Sequence, residues 1–373
     1  MSNQPAVVGP DGVARPYIGG QALIEGVMMR SPHAFAAVVR RRDGSLLVRE
    51  EPMTDLRKGA LALPFLRGVA ALVEALKLGS RCLRFSAEVY ERDLEAEEQK
   101  KTAAQPSLLS VLSLPIIALV TSDPEAPITA PKDDSGRKLM TFVSIAFALT
   151  LFVALPQAFA QGTSWVFDLG LDVRSASFQL LTGAAKLCIV VGYMLAIRRI
   201  PEIRRVFQFH GAEHKSIYTY ESGEELSVEN ARKKTTLHPR CGTTFIVMVA
   251  MVSILVFTAI GPLLPRFGVG ALLDNVLFFL MKLPFLPLIA AVTFELQRLL
   301  ARHVKGGPLK LLLWPGFLVQ RITTIEPDDD QLEVALSALA ITLERERAPE
   351  RDFGGERAFA DFGALRGSPV VPA

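Results

Sequence analysis

The chain has 373 residues, of which 50% are hydrophobic and 21% charged, and its net charge is only +3 at neutral pH. That weak charge, with no basic patch interleaved with aromatics, excludes nucleic acid as an expected partner, and three scattered cysteines, Cys82, Cys188 and Cys241, exclude a disulfide framework. A positive mean hydropathy of +0.31 points instead to a membrane protein with a large aqueous part.

Met1–Arg15 is polar and has no apolar core before a small-residue cleavage site, so the first apolar span is expected to serve as both targeting element and anchor. Residues 17–90 are expected to form a small cytoplasmic α+β region. Ala34–Val39 and Leu46–Val48 read as strands joined through Asp43-Gly44, a favoured hairpin turn. Leu66–Phe85 places Leu66, Val69, Ala70, Val73, Leu76 and Leu83 near helical spacing, which predicts an amphipathic helix. A lone hairpin is not stable by itself, so this helix is expected to cover the sheet rather than lie on the membrane. Residues 91–137 turn charged and proline-interrupted and read as a connector; within it Leu108–Val120 is too short to span and reads as an interfacial or packed piece.

Four apolar stretches follow, Leu139–Ala160, Phe178–Ile197, Thr244–Leu264 and Leu272–Leu296. Each reaches the ~20 residues that a helix needs to cross ~30 Å of hydrocarbon. The expected fold is therefore a mainly α-helical integral membrane protein with about four transmembrane helices, paired at 138–198 and 243–297. Cys188 falls inside the second span, where a small buried apolar role is expected. Arginines and lysines crowd the N-terminal region, the loop at 199–242 and the region after 298, whereas the two short connections hold only Arg174 and Arg266. By the positive-inside rule both termini and the middle loop face the cytoplasm, in a multi-pass protein of the inner (plasma) membrane.

The middle loop holds the strongest chemical clue. Ile203–Glu221 is expected to form a helix ended near Gly223, with Ser227 capping a second one. His210, Glu213 and His214 make an H-x-x-E-H string, and on a helix residues four apart share a face. Both imidazoles can then hold one divalent metal, zinc by ligand type, with Glu213 beside them as a catalytic proton acceptor. The same string marks inverted zincin metallohydrolases, but so short a pattern also fits an ordinary polar helix at a membrane edge. Farther on, His238 and Cys241 stand three apart and offer two more donors. Four ligands would fill a tetrahedral site and staple the loop; three would leave a position open for chemistry.

The region 298–345 is expected to return to the cytoplasm with a helix over Gln331–Glu346, and 346–373 is expected to be disordered. Lys186, Lys282 and Glu295 are ionisable residues inside spans and require a partner or water. Pro284 and Pro287 are expected to break or kink the last span. Glu295 is a candidate accessory residue near the histidine loop, with a snorkelling carboxylate as the plainer reading. Glu25, flanked by glycines, is a second accessory candidate, with an ion pair to Arg30 as its plainer role.

Long strings also carry a family resemblance: GGQALIEGVMMR at 19–30, RRVFQFHGAEHKSI at 204–217, LHPRCGT at 237–243 and PDDDQLEVA at 327–335. Over about residues 17–340 the chain resembles the YqhQ-like family of bacterial-type membrane proteins of unknown function. That family is described as a predicted metal-dependent enzyme, which implies a metal at the H-x-x-E-H string and names no substrate. Three functions stay open: a membrane-embedded metal-dependent hydrolase at the cytoplasmic face, a non-enzymatic assembly or scaffold protein with a structural metal, and a transporter, for which four spans without an internal repeat offer little. The expected partners are the lipid bilayer and other membrane proteins.

Overall fold

The computed structural model describes residues 7–53, 63, 65–100, 142–144, 146–147, 149–265, 267–303, 308–348, 354–368 and 370. A short antiparallel pair, β1 (Val7–Val8) and β2 (Ala14–Arg15), precedes a five-stranded antiparallel sheet. Its strands are β3 (Gly19–Leu23), β4 (Gly26–Arg30), β5 (Ala34–Arg40), β6 (Leu46–Pro52) and β7 (Gly355–Phe359), neighbours in that order. The hairpin expected at Asp43-Gly44 is present, with Gly44 at φ 88° and Arg40 paired to Leu46. The fifth strand is a correction. The tail after 346, expected to be disordered, supplies β7 and a short helix, α11 (Phe362–Arg366), and Glu356 pairs with Arg49 of β6.

Both faces of this sheet are covered, which is why β5 reads AFAAVV without polar alternation. On one face Phe35, Ala37 and Val39 meet Leu78, Cys82, Phe85 and Val89 of helix α1 (Leu66–Lys100). These four recur at helical spacing, so one stripe of α1 is buried. The helix runs through Glu91–Lys100, residues expected to belong to the connector, and its first half lies beside an apolar helix introduced below. On the opposite face Val27, Met29, Ala36 and Val38 pack on Leu332, Leu336, Leu339 and Ile341 of α10 (Asp329–Arg347). The start of α10 carries a capping box in which Asp328 and Gln331 each satisfy the other's backbone N–H. Each fully buried Leu, Ile or Phe contributes ~1.5–3 kcal/mol. Leu108–Val120 lies outside the described residues.

Among the described residues three helical stretches, not four, are long and apolar enough to cross a membrane: Ala176–Ile197, Gly242–Leu263 and Leu273–Leu300. Only 11%, 17% and 22% of their most apolar windows are buried within the protein, so their surfaces suit lipid better than water. They comprise α3 (Ala176–Ile197), α6 (Gly242–Ile260) with a 3-10 turn, and α7 (Ala271–Lys282) followed by α8 (Phe285–His303). The expected break is there: Pro284 has no N–H to continue α7, and the chain restarts at Phe285. Lys282 meets its need for partners by donating to Gln179 Oε1 at 2.6 Å and lying over the Phe278 and Phe257 rings. Of the first expected span, Leu139–Ala160, part lies outside the described residues. The rest runs through a π-helical turn, Thr150–Ala154, into α2 (Leu155–Val166). Cys188 is exposed on α3, contrary to its expected buried role.

Candidate metal centre

The expected middle helix is α4 (Pro201–Glu221), started by Pro201, whose fixed φ suits a first helical position. It lies between the sheet and the apolar helices, and the string F-H-G-A-E-H-K falls in its buried middle. Gly211 is required there by close approach: a Cβ would stand 2.1 Å from the Ile325 carbonyl oxygen. The segment after α9 (Trp314–Thr323) therefore runs hard against α4, and Ile325 N–H donates to the Phe207 carbonyl at 2.9 Å. This brings the free carbonyl of Thr323, at the C-terminal end of α9, to 2.9 Å from His210 Nδ1. His214 Nδ1 likewise donates to the Thr236 carbonyl. With each Nδ1 tied to a carbonyl, each Nε2 is the nitrogen left to act as a ligand.

Cys241 completes the group. It is the N-cap of α6, its Sγ accepting from Thr243 N–H, and it lies 3.1 Å from His210 Nε2. One ligand atom from each of His210, His214 and Cys241 lies within 4.8 Å of the others, so a small contraction brings all three to the ~2.0–2.3 Å of zinc bonds. His214 Nε2 is buried with no hydrogen-bond partner among the described residues. An orphaned imidazole nitrogen facing an imidazole and a thiol is a donor set that fits a borderline-soft divalent cation.

The electrostatics agree with that donor set. Burial pushes the Cys241 thiol up, but the His210 and His214 imidazoles outweigh it and hold the thiol well below its ordinary value. Burial disfavours the His210 imidazolium, and the Cys241 thiolate reverses the effect, raising it. Glu213 is pushed up to about 7 by burial, against the pull of His210 and His214. Its carboxyl sits under β3. A Cβ on Gly20 would stand 2.7 Å from both Glu213 Cγ and Oε1, so the glycine leaves room for this side chain.

The other expected site residues lie elsewhere. His238 is buried and its ring centre is 5.6 Å from that of His214, but its Nδ1 accepts from Arg240 N–H and its Nε2 faces Glu221 Oε2 at 3.6 Å. It stands outside the group of three. Burial depresses His238 to about 4, against the weaker opposing pull of the Cys241 thiolate. Glu25 has φ 52° in the β3–β4 turn and is gripped by Arg205, with both contacts at 2.5 Å; Arg30, its expected partner, reaches Glu74 instead. Glu295 is held by Arg67 of α1 at 2.7 and 2.5 Å.

Sequence reasoning missed two glutamines. Gln320 is fully buried: its Nε2 donates to the His238 carbonyl and to Thr244 Oγ1, and its Oε1 accepts from His238 N–H. Gln297 donates to the carbonyls of Pro239 and Cys241. Together they clasp the turn that delivers Cys241. No spacing signal in the chain marks either residue; a buried glutamine on an apolar helix face is the only hint.

The chain is 32% identical to "Uncharacterized protein YqhQ" of Bacillus subtilis (strain 168) over 349 residues, which is 90% of this chain and 95% of that relative. No solved structure matches it. A family model covers residues 63–345, and the chain belongs to the family described as "Protein of unknown function (DUF1385)".

Proposed function

We propose that the chain is a membrane-embedded metal-dependent hydrolase whose site lies at the cytoplasmic face. The observation that carries this reading is the convergence of His210, His214 and Cys241 beside Glu213. These three residues would hold the ion. A zinc ion bound there would supply Lewis acidity and favour ionisation of water. Glu213, with a value near neutrality, is suited to take and return a proton at its carboxylate. Three donors rather than four favour an open site over a purely structural staple. The substrate class within reach of such a site is an amide, ester or phosphoester close to the membrane.

The same reading has four crossings, with both termini on the cytoplasmic side of the plasma membrane. Two observations support it. β7 and α10 fold onto the sheet formed by β3–β6, which favours an even number of crossings between those segments. Three apolar stretches are present, and α2 with its preceding π-turn is the available fourth.

The test uses purified variants, elemental analysis and growth complementation. Glu213→Gln is expected to keep the metal and lose function, because an amide cannot accept a proton. His210→Ala and His214→Ala are expected to lose the metal. Full function in Glu213→Gln would remove the hydrolase reading, and unchanged metal content in both histidine variants would remove the metal site.

A further inference from the structure

We propose that the segment Pro308–Thr323, a 3-10 turn followed by α9, docks into the headgroup layer of an anionic bilayer and holds the histidine pair at that depth. The segment has two faces. Gly316, Val319, Gln320 and Thr323 are buried against the rest of the protein. Leu311, Leu312, Trp314 and Leu318 point away from it, and they are 70%, 49%, 54% and 38% exposed. Four large apolar side chains uncovered within eight positions form a patch that water does not stabilise.

What covers the patch follows from its neighbours. Gly316 lies so close to Thr244 that a Cβ would stand 2.5 Å from Thr244 Cγ2, which seats α9 at the first turn of α6. That helix is itself largely uncovered, with Ile246 65% exposed, so the patch borders a helix whose apolar surface also lacks a protein partner among the described residues. A basic rim adjoins it. Arg198 Nη1 donates to the Arg321 carbonyl at 2.8 Å, and Arg199, Arg204 and Arg321 are exposed. None of these four has a carboxylate partner among the described residues, so their charges are free for lipid phosphates. Apolar face inward and cations at its margin is the arrangement of an interfacial helix, whose apolar side sinks ~5–10 Å into the headgroup and acyl boundary.

The two tryptophans agree. Trp165 ends α2 and is 82% exposed, near the end where Arg174 Nη2 binds the Pro262 carbonyl; Trp314 stands by the opposite end of α6. One tryptophan at each end of an apolar helix set is the pattern of the two interfacial belts. The docked segment also reaches the site: Thr323 accepts from His210 Nδ1, and Gln320 clasps the turn carrying Cys241. The inference rests on the crossings proposed above and is independent of the metal.

Trp165→Phe leaves Trp314 as the sole tryptophan. The full chain is reconstituted in vesicles of phosphatidylcholine and phosphatidylglycerol whose acyl chains carry bromine at a shallow or a deep position. Docking predicts a loss of about half of the Trp314 emission with shallow bromine, a smaller loss with deep bromine, and little quenching by aqueous iodide. Quenching by iodide but by neither bromolipid overturns the proposal, as does stronger quenching by deep bromine. Trp314→Phe reads Trp165 alone and separates the causes. Bromine quenching at Trp165 without any at Trp314 keeps the crossings and refutes the docking, whereas none at either refutes both.

Discussion

Gly20→Ala isolates the carboxylate of Glu213 without touching a metal donor. An added Cβ would lie 2.7 Å from Glu213 Cγ, and ordinary contact begins at 3.4 Å, so the side chain must retreat by 0.7 Å (3.4 minus 2.7) or β3 must move. The strand is held by its register, Gly20 opposite Met29 in β4, so the carboxylate is the softer part. Overpacking of this kind costs ~1–3 kcal/mol of stability. A 1 Å misplacement of a reacting group costs ~10²-fold in rate, so a shift of this size is expected to lower function ~10–100-fold. In barrier terms this is about 1.4–2.7 kcal/mol. The assay is growth complementation at matched protein levels, paired with elemental analysis and the thiolate-to-cobalt charge-transfer band of the cobalt-substituted protein. Metal content and band are expected to match the parent while complementation falls. Parental complementation with an unchanged thermal midpoint would show that the position of Glu213 does not matter, and the argument for its catalytic role would fail.

Other expectations concern pH, the buried ion pairs and the topology. His238 has a folded value depressed from 6.5 to about 4, so its contribution is present above pH 6.5 and is lost as pH falls towards 4, where the unfolded chain binds the extra proton. His238→Gln is expected to flatten this acid limb of the metal-free protein by up to about 3 kcal/mol, read as denaturation midpoints between pH 4 and 6.5; an unchanged slope would refute it. Glu50 is 1% exposed and binds both Arg345, through two contacts at 2.6 Å, and Arg357. Glu50→Ala removes the buried carboxylate that the two guanidinium groups share and is expected to cost ~3–5 kcal/mol, whereas a loss near zero in thermal unfolding would refute a stabilising role for this cluster. Single cysteines at 165, 230 and 268, in a chain with its native cysteines replaced, are expected to label from the cytoplasm only at 230. Labelling of 165 and 230 from the same side would overturn the four-crossing arrangement.

Much of this arrangement was legible because it is local. Asp43-Gly44 marks its hairpin by turn chemistry, and the α4 and α10 helices follow from spacing and caps that act within a few residues. The β3–β4 hairpin was hidden, because its turn is Ile24-Glu25 and Glu25 adopts a left-handed φ of 52° that glycine or asparagine usually takes. The tail strand GERAF carries no apolar alternation, since it completes an edge and buries little. In the site, the H-x-x-E-H string placed two donors on one helix face, and the His238-Cys241 spacing suggested two more. Only Cys241 joins them: as the N-cap of α6 it points its sulfur at His210, while the backbone N–H of Arg240 occupies the Nδ1 of His238. The carbonyl of Thr323 and the clasp of Gln320 lie 113 and 82 residues from their partners, and such separations leave no trace in spacing.

The strand order has a consequence for biosynthesis. β6 is finished by residue 52, but its neighbour β7 begins at 355, so at the ~5–20 residues per second of a ribosome the growing chain holds an open sheet edge for tens of seconds. That edge ends in Arg49, Glu50, Glu51 and Pro52, charges and a proline of the kind that discourages pairing with a stray strand. The same Glu50 is then captured by Arg345 and Arg357, which emerge 295 and 307 residues later. The residue that protects the nascent edge from aggregation thus becomes the latch that closes it once β7 has been made.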